Sequence, residues 1–293
     1  MKSVAVVGTG LIGASIALAL RAGGFTGEIV GVDRSEAERA AALATGAFTT
    51  VSGDEAAVRG AEVVVLAVPV MAIMDWMQRL APMLGEGQLV TDVGSTKREI
   101  VELARQLYNQ PDRARFLPGH PMAGKESGGA ALAEAGLFRG AVWLFTPIER
   151  EPSSDAGDDA DAVELEWRGW VECFGAKAME IDAEAHDEVC AWVSHLPQFL
   201  STALAALLEE AVAGDAEGLA MVRAIGGRAL KETTRLGASP YSMWRDVAMT
   251  NTESIAETLL ALEQRLAHVR ENLRTAELRE EFAKANRFRT KQG

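Results

Sequence analysis

The sequence is short of cysteine, of positive charge and of long uncharged apolar runs, and each shortage excludes something. Two cysteines among 293 residues, Cys173 and Cys190, cannot build a disulfide framework or a cysteine-rich zinc site. Both read as buried free thiols. Acidic residues number 42 against 29 basic ones, for a net charge of −13. A duplex-binding surface needs a basic footprint to displace counterions, so nucleic acid is excluded as a partner. The longest apolar runs, such as Ala61–Val70, carry charge or proline and fall short of the roughly 20 residues that cross a bilayer. Ser3-Val4-Ala5-Val6-Val7-Gly8 follows the first two residues directly, with no apolar leader core. These absences predict a cytoplasmic protein with no membrane partner. The histidines show no metal-ligand spacing, so no metal is expected.

What is present has the proportions of a globular protein: 48% hydrophobic and 24% charged, enough for one or two domains with real cores. Strand-like runs occupy Ser3–Gly8, Glu28–Val32, Glu62–Val68, Gln88–Val93, Arg115–Pro118, Val142–Thr146 and Lys177–Ile181. Helical patterns lie between them, at Leu11–Ala22, Ser35–Leu43, Met71–Leu84 and Thr96–Tyr108. Such alternation predicts crossover units and a mostly parallel sheet. After Asp182 no strand-like run follows, only stretches rich in Ala, Leu and Glu, the last from about Asn251 to Arg287. The chain therefore reads as an α/β protein: residues 1–182 form a first domain and 183–293 an all-helical second one. Glu151–Glu166, acidic and holding Pro152, Ser153, Ser154 and Gly157, reads as an exposed, disordered loop within the first. Arg287–Gly293 reads as a basic tail. Ile255, Leu259, Leu262, Leu266, Val269 and Leu273 repeat at four and three. That is a seam for lengthwise helix packing, either inside the helical domain or between subunits.

Gly8-Thr9-Gly10-Leu11-Ile12-Gly13 follows an apolar strand and opens an amphipathic helix. Gly8 permits the turn, Gly10 lets backbone approach a pyrophosphate, and Gly13 lets helix and sheet close up. The helix start offers its amides, from Leu11 and Ile12 onward, to phosphate. Asp33 ends the next strand, twenty positions past Gly13, where a carboxylate binds ribose hydroxyls and repels a 2′-phosphate. This favours NAD; Arg34 beside it would suit NADP. The first domain is thus a Rossmann-type dinucleotide-binding domain.

Ligands of an open parallel sheet sit beyond the carboxyl ends of its strands. Val68-Pro69, Ser95 and the run Gly119–Gly129 all fall there. Ser95 is placed to cap a helix beginning at Thr96, a role compatible with ligand contact. His120 lies in a loop shaped by Pro121 and Gly124, near the expected nicotinamide pocket. His195 precedes Leu196-Pro197, at a helix kink from which a side chain can turn into a cleft, or into a core. Arg228, Lys231 and Arg235 share a face if the helix survives Gly226-Gly227, and Arg223 and Arg245 lie nearby. In so acidic a chain such a stripe suits an anion pocket.

Together these motifs resemble the prephenate and arogenate dehydrogenases of tyrosine biosynthesis. The resemblance rests on G-T-G-L-I-G at Gly8–Gly13, D-V-G-S-T-K at Asp92–Lys97 and G-H-P-M-A-G at Gly119–Gly124. It continues through V-S-H-L-P at Val193–Pro197, T-T-R at Thr233–Arg235 and M-W-R-D at Met243–Asp246. It implies a helical domain that dimerises and an oxidative decarboxylation with NAD or NADP. It implies His120 as the catalytic histidine and Ser95 as the serine that binds the substrate hydroxyl. His195, Arg235 and Trp244 match substrate-binding positions, Arg235 holding a carboxylate. Glu126 matches a family glutamate; Lys125 before it departs from the threonine of some members. Two rival readings stay open: a β-hydroxyacid-type dehydrogenase, for which Lys231 is the available helical-domain lysine, and a non-catalytic dinucleotide sensor.

Overall fold

The computed structural model describes residues 1–110, 112–148 and 157–290. Six strands form a parallel sheet: β1 (Ser3–Val7), β2 (Glu28–Val32), β3 (Thr50–Ser52), β4 (Val63–Leu66), β5 (Leu89–Asp92) and β6 (Arg115–Leu117), of which β1, β2 and β4 come from runs rich in Val and Ile. They lie in the order β3-β2-β1-β4-β5-β6, the doubly wound arrangement with a switch point between β1 and β4. Successive side chains of a strand face opposite ways. Val4 and Val6 accordingly enter one core layer with Ile16, Leu20 and Trp167. Ala5 and Val7 enter the other with Ile73, Met77 and Ile100. The connecting helices are α1 (Leu11–Ala22), α2 (Glu36–Ala44), α3 (Val70–Leu80) and α4 (Arg98–Tyr108).

A second sheet holds β7 (Gly119–Pro121), β8 (Val142–Phe145) and β9 (Lys177–Glu180), with β7 antiparallel and β9 parallel to β8. His120 is thus a strand residue opposite Leu144, not a loop residue. Between β8 and β9 runs α5 (Gly157–Cys173). Helix therefore replaces the second half of the loop expected over Glu151–Glu166; residues 151–156 lie outside the described ones. The reason is Trp167, which is fully buried; burying so large an apolar side chain is worth roughly 1.5–3 kcal/mol. Cys190 is buried as expected, but Cys173, at the end of α5, is exposed.

Beyond β9 the described chain is helical: α6 (Ala183–Cys190), a π-helical turn Ala191–His195, α7 (Leu196–Ala211), α8 (Ala216–Ile225), α9 (Gly227–Thr234), a tight turn Arg235–Ala238, α10 (Tyr241–Thr250), α11 (Thr252–Glu271) and α12 (Glu277–Thr290). The expected single last helix breaks after Glu271, where Asn272 turns its side-chain amide back onto the His268 carbonyl. Part of the expected basic tail continues α12, and residues 291–293 lie outside the described ones. Gly227, at φ +58, breaks the helix between α8 and α9 and cuts off Arg223; Arg228 and Lys231 stay together on α9, with Arg235 at its end. An 18-residue stretch of the continuous helix Ala183–Ala211, 22% buried and of mean hydropathy 1.2, is long and apolar enough by length and composition to cross a membrane. The apolar runs of the sequence do not suggest this. Its buried polar groups His186, Asp187 and His195 face protein instead.

Two acids of the helical part dock it onto the sheet. Asp187 accepts from the amides of Lys97 and Arg98 at 2.7 and 3.0 Å, at the start of α4. Asp246 accepts from the Met71 amide at 3.3 Å, in the first turn of α3. Each fills orphan amides at a helix start, where negative charge is favoured. Thr96 and Thr250 share a buried hydrogen bond of 2.7 Å across the same junction.

Candidate active site

The glycine turn follows β1 at the switch point. Gly8 has φ +87, and a Cβ there would lie 2.3 Å from the Ala67 carbonyl. A Cβ on Gly13 would lie 2.0 Å from the Gly8 carbonyl, while one on Gly10 would meet nothing within 4 Å. No side chain caps α1, which starts at Leu11 and Ile12. Open space over Gly10 and uncapped amides form a cradle that fits a pyrophosphate. Asp33 closes β2 with its carboxylate fixed by the amides of Thr9 and Ser35 at 2.9 and 2.8 Å. Arg34 is exposed, Val68 half-buried, and Pro69 is the residue before α3.

At the end of β5 a buried ion pair sets the adjoining loops. Asp92 and Lys97, both fully buried, meet at 2.6 Å. Asp92 also accepts from the amides of Gly94 and Gly119, and Lys97 donates to the carbonyls of Gly94 and Thr96. Every partner is satisfied, the condition under which a buried pair is tolerated; removing one side costs about 3–5 kcal/mol. The Gly119 contact fixes the backbone beside His120. Ser95, half-buried, does not cap α4, which begins at Arg98 rather than Thr96. Asp187 takes that role from a distant segment.

His120 is buried, and its Nδ1 lies 2.9 Å from Nε2 of His186. Nδ1 of His186 lies 2.7 Å from Asp187 Oδ1. Burial first, then the neighbouring His186, Lys97 and His195, hold the His120 imidazole well below its ordinary protonation range. Burial also lowers His186, against the opposing pull of Asp187. It brings His195 down to about 4. All three are neutral bases at neutral pH. His195 ends the π-helical turn, which Pro197 favours because it has no amide hydrogen to continue the ladder. Such turns recur at functional sites. Its ring lies edge-on to Trp244, with centroids 5.9 Å apart, and Asn251 approaches its Nδ1 at 3.3 Å. His195 Nε2 and Trp244 Nε1 are buried without a hydrogen-bond partner, a state that calls for a ligand or water.

Arg235 leaves the turn after α9 and forms an ion pair with Glu126, across the junction of the two parts. Lys125 spends its ammonium on the Leu132 carbonyl and on Glu134. Arg228 pairs with Glu232 and Arg245 with Asp246, so the basic stripe divides into local pairs. The fold also gathers His120, His186 and Cys190, with one donor atom from each within 4.8 Å of the others. The sequence spacing does not announce this set. Its two nitrogens, 2.9 Å apart, sit closer than the roughly 3.3 Å that tetrahedral zinc keeps between ligands, and at the distance of a shared proton. His186, Asp187 and Asn251 are the site residues that motif reading passes over. The signal is present: a His-Asp pair inside an otherwise apolar helix needs partners.

A doubly wound sheet, a glycine-rich turn at its switch point and a neutral buried histidine nearby define a dinucleotide-binding dehydrogenase. Comparison with known proteins narrows the class. The models of the prephenate dehydrogenase nucleotide-binding domain and dimerization domain match residues 16–163 and 182–287. A prephenate dehydrogenase of Lactococcus lactis is 31% identical over 88% of this chain, which spans 68% of that relative's length. The structure of prephenate dehydrogenase from A. aeolicus, in complex with hydroxyphenyl propionate and NAD+, aligns with a TM-score of 0.87 at 27% identity. The alignment covers 100% of this chain and 99% of that one. Synechocystis arogenate dehydrogenase aligns with a TM-score of 0.74 at 28% identity, over 99% and 100%. The chain belongs to the prephenate dehydrogenase family.

Proposed function

We propose that the protein oxidises and decarboxylates prephenate to hydroxyphenylpyruvate, or arogenate to tyrosine, with NAD. The observation that carries this is His120, a buried neutral base just past the end of β6. NAD, when bound, supplies the hydride acceptor. Gly8, Gly10, Leu11, Ile12 and Gly13 cradle its pyrophosphate, Asp33 takes the ribose hydroxyls, and Val68-Pro69 flank the nicotinamide half. Arg34 is the residue that NADP would use. His120 accepts the proton of the ring hydroxyl as hydride leaves the same carbon, and Ser95 orients that hydroxyl. Loss of carbon dioxide from the opposite ring carbon then makes the ring aromatic. The guanidinium of Arg235 holds the side-chain carboxylate, exchanging Glu126 for substrate. His195 and Trp244 line the ring's pocket and use their unpartnered nitrogens there. Lys125, through Glu134, orders the loop that carries Glu126.

Residues 1–182 form the nucleotide domain and 183–293 the helical one; β9 ends at Glu180 and α6 opens at Ala183. The active form is a homodimer joined through the helical domain. Leu259, Leu266 and Leu273 of the seam are exposed in the single chain, as are Trp192 and Leu207, while Ile255 is buried; so many exposed large apolar side chains call for a partner. The cytoplasm is the compartment, since both cysteines are free thiols. Against the β-hydroxyacid reading stands Lys231, exposed on α9. Steady-state NADH formation, measured with prephenate and arogenate and with both cofactors, tests the proposal. It fails if neither substrate is turned over while a small hydroxy acid is.

A further inference from the structure

Helix α6 contributes a pair of residues that the proposed reaction does not use directly. His186 and Asp187 are fully buried, and they stand in line behind His120. Asp187 is held from three sides. Its oxygens accept from the Lys97 and Arg98 amides and approach His186 Nδ1 at 2.7 Å. Asn251 donates to its backbone carbonyl at 2.8 Å. A carboxylate only accepts hydrogen bonds, so His186 carries its proton on Nδ1. Its Nε2 then has a lone pair. Two groups face that lone pair: His120 Nδ1 at 2.9 Å and Cys190 Sγ at 3.6 Å. Burial pushes the Cys190 thiol up to about 12, so it is a neutral S–H that donates weakly. For the 2.9 Å contact to be a hydrogen bond, His120 Nδ1 must carry the proton. Its Nε2 is left as the lone pair.

We propose that His186 and Asp187 are positioning residues that fix His120 with its proton on Nδ1 and its basic lone pair on Nε2. They also hold the imidazolium formed when that lone pair takes the substrate proton. The inference rests on the reading of His120 as the base. The proton leaves the ring hydroxyl for Nε2 and the hydride leaves the carbon for the cofactor, so His120 alone gains positive charge. That charge faces His186 Nε2 through Nδ1–H, and His186 in turn donates to the Asp187 carboxylate. The acid that sets the tautomer also caps α4, so docking of the helical part and arming of the base are a single event. The logic is that of a histidine oriented by a buried aspartate. In serine proteases, exchanging that aspartate for asparagine lowers kcat roughly 10⁴-fold.

The test is the nitrogen-15 imidazole spectrum of the full-length protein. His120 and His186 should both show protonated Nδ1 and unprotonated Nε2. A parent spectrum with His120 protonated on Nε2 overturns the proposal whatever any variant does. Kinetics supply the second arm. Asp187→Asn should move both protons to Nε2 and lower kcat by about 10²–10⁴-fold, with NAD affinity kept. His186→Leu should lower kcat by at least about 10²-fold, and His186→Gln, whose carbonyl can still accept from Nδ1–H, should recover part of it. A folded His186→Leu protein with parental kcat also overturns the proposal. Should the parent show the predicted tautomers but turn over neither prephenate nor arogenate, the hydrogen-bond relay stands and the assigned reaction falls.

Discussion

Lowering the pH through the ordinary histidine range should destabilise the protein. His120, His186 and His195 are all buried and all have protonation ranges depressed by that burial. In the unfolded chain each returns to about 6.5. As pH falls through that value the unfolded state takes up protons and the native state does not, so stability present above about pH 6.5 is lost below it. For His195, whose folded value is about 4, the loss is complete near that pH and totals about 3 kcal/mol. Between about pH 7.5 and about pH 5.5 His195 alone contributes about 1.3 kcal/mol, and His120 and His186 add losses of the same sign. The window spans the ordinary histidine value. The shifted carboxylates Asp182 and Glu281 have lowered values and stay ionised throughout it. Urea unfolding followed by circular dichroism, at one fixed protein concentration, measures the change. His195→Asn should remove its own share, about 1.3 kcal/mol. Equal stability at the two pH values would mean that the imidazoles charge freely in the native state, and the neutral-base argument for His120 would go with it.

Asp33→Ser should weaken NAD binding and relax discrimination against NADP, with Arg34 available to a 2′-phosphate; a parent enzyme that already prefers NADP contradicts the role given to Asp33. Arg235→Gln should raise KM several-fold, because the half-exposed guanidinium no longer pairs with the substrate carboxylate; an unchanged KM removes Arg235 from the site. Light scattering should give a dimer mass at micromolar concentration, and Leu262→Glu with Leu266→Glu should yield a folded monomer. An unmodified chain that scatters as a monomer refutes the seam as an interface.

The parts legible in the sequence are those whose cause is local. The Gly8–Gly13 turn could be read because its steric demands fall on neighbouring residues. The strands β1, β2, β4 and β5 could be read because their apolar runs are long enough to show. Thr50-Val51-Ser52 is too short and too polar to stand out, and β3 exists because β2 offers it an edge. Gly119-His120-Pro121 reads as a loop by composition; pairing with β8 makes it a strand. The first part of α5 is hidden by its acidic composition, and the deciding residue, Trp167, lies just beyond it. Ser95 reads as the cap of α4 because the true cap, Asp187, lies ninety positions from Lys97 and arrives only on folding. The same distance conceals the hydrogen bonds behind His120: the histidine is visible as a motif, its tautomer only in three dimensions.

The most direct test of the account is kcat for His120→Asn, measured with whichever of prephenate or arogenate the parent prefers. Asparagine keeps a polar side chain of moderate size and removes the base. The account predicts kcat lower by about 10²–10⁴-fold with NAD affinity nearly unchanged. A variant that retains near-parental kcat at neutral pH would contradict it and pass the role of base to His195.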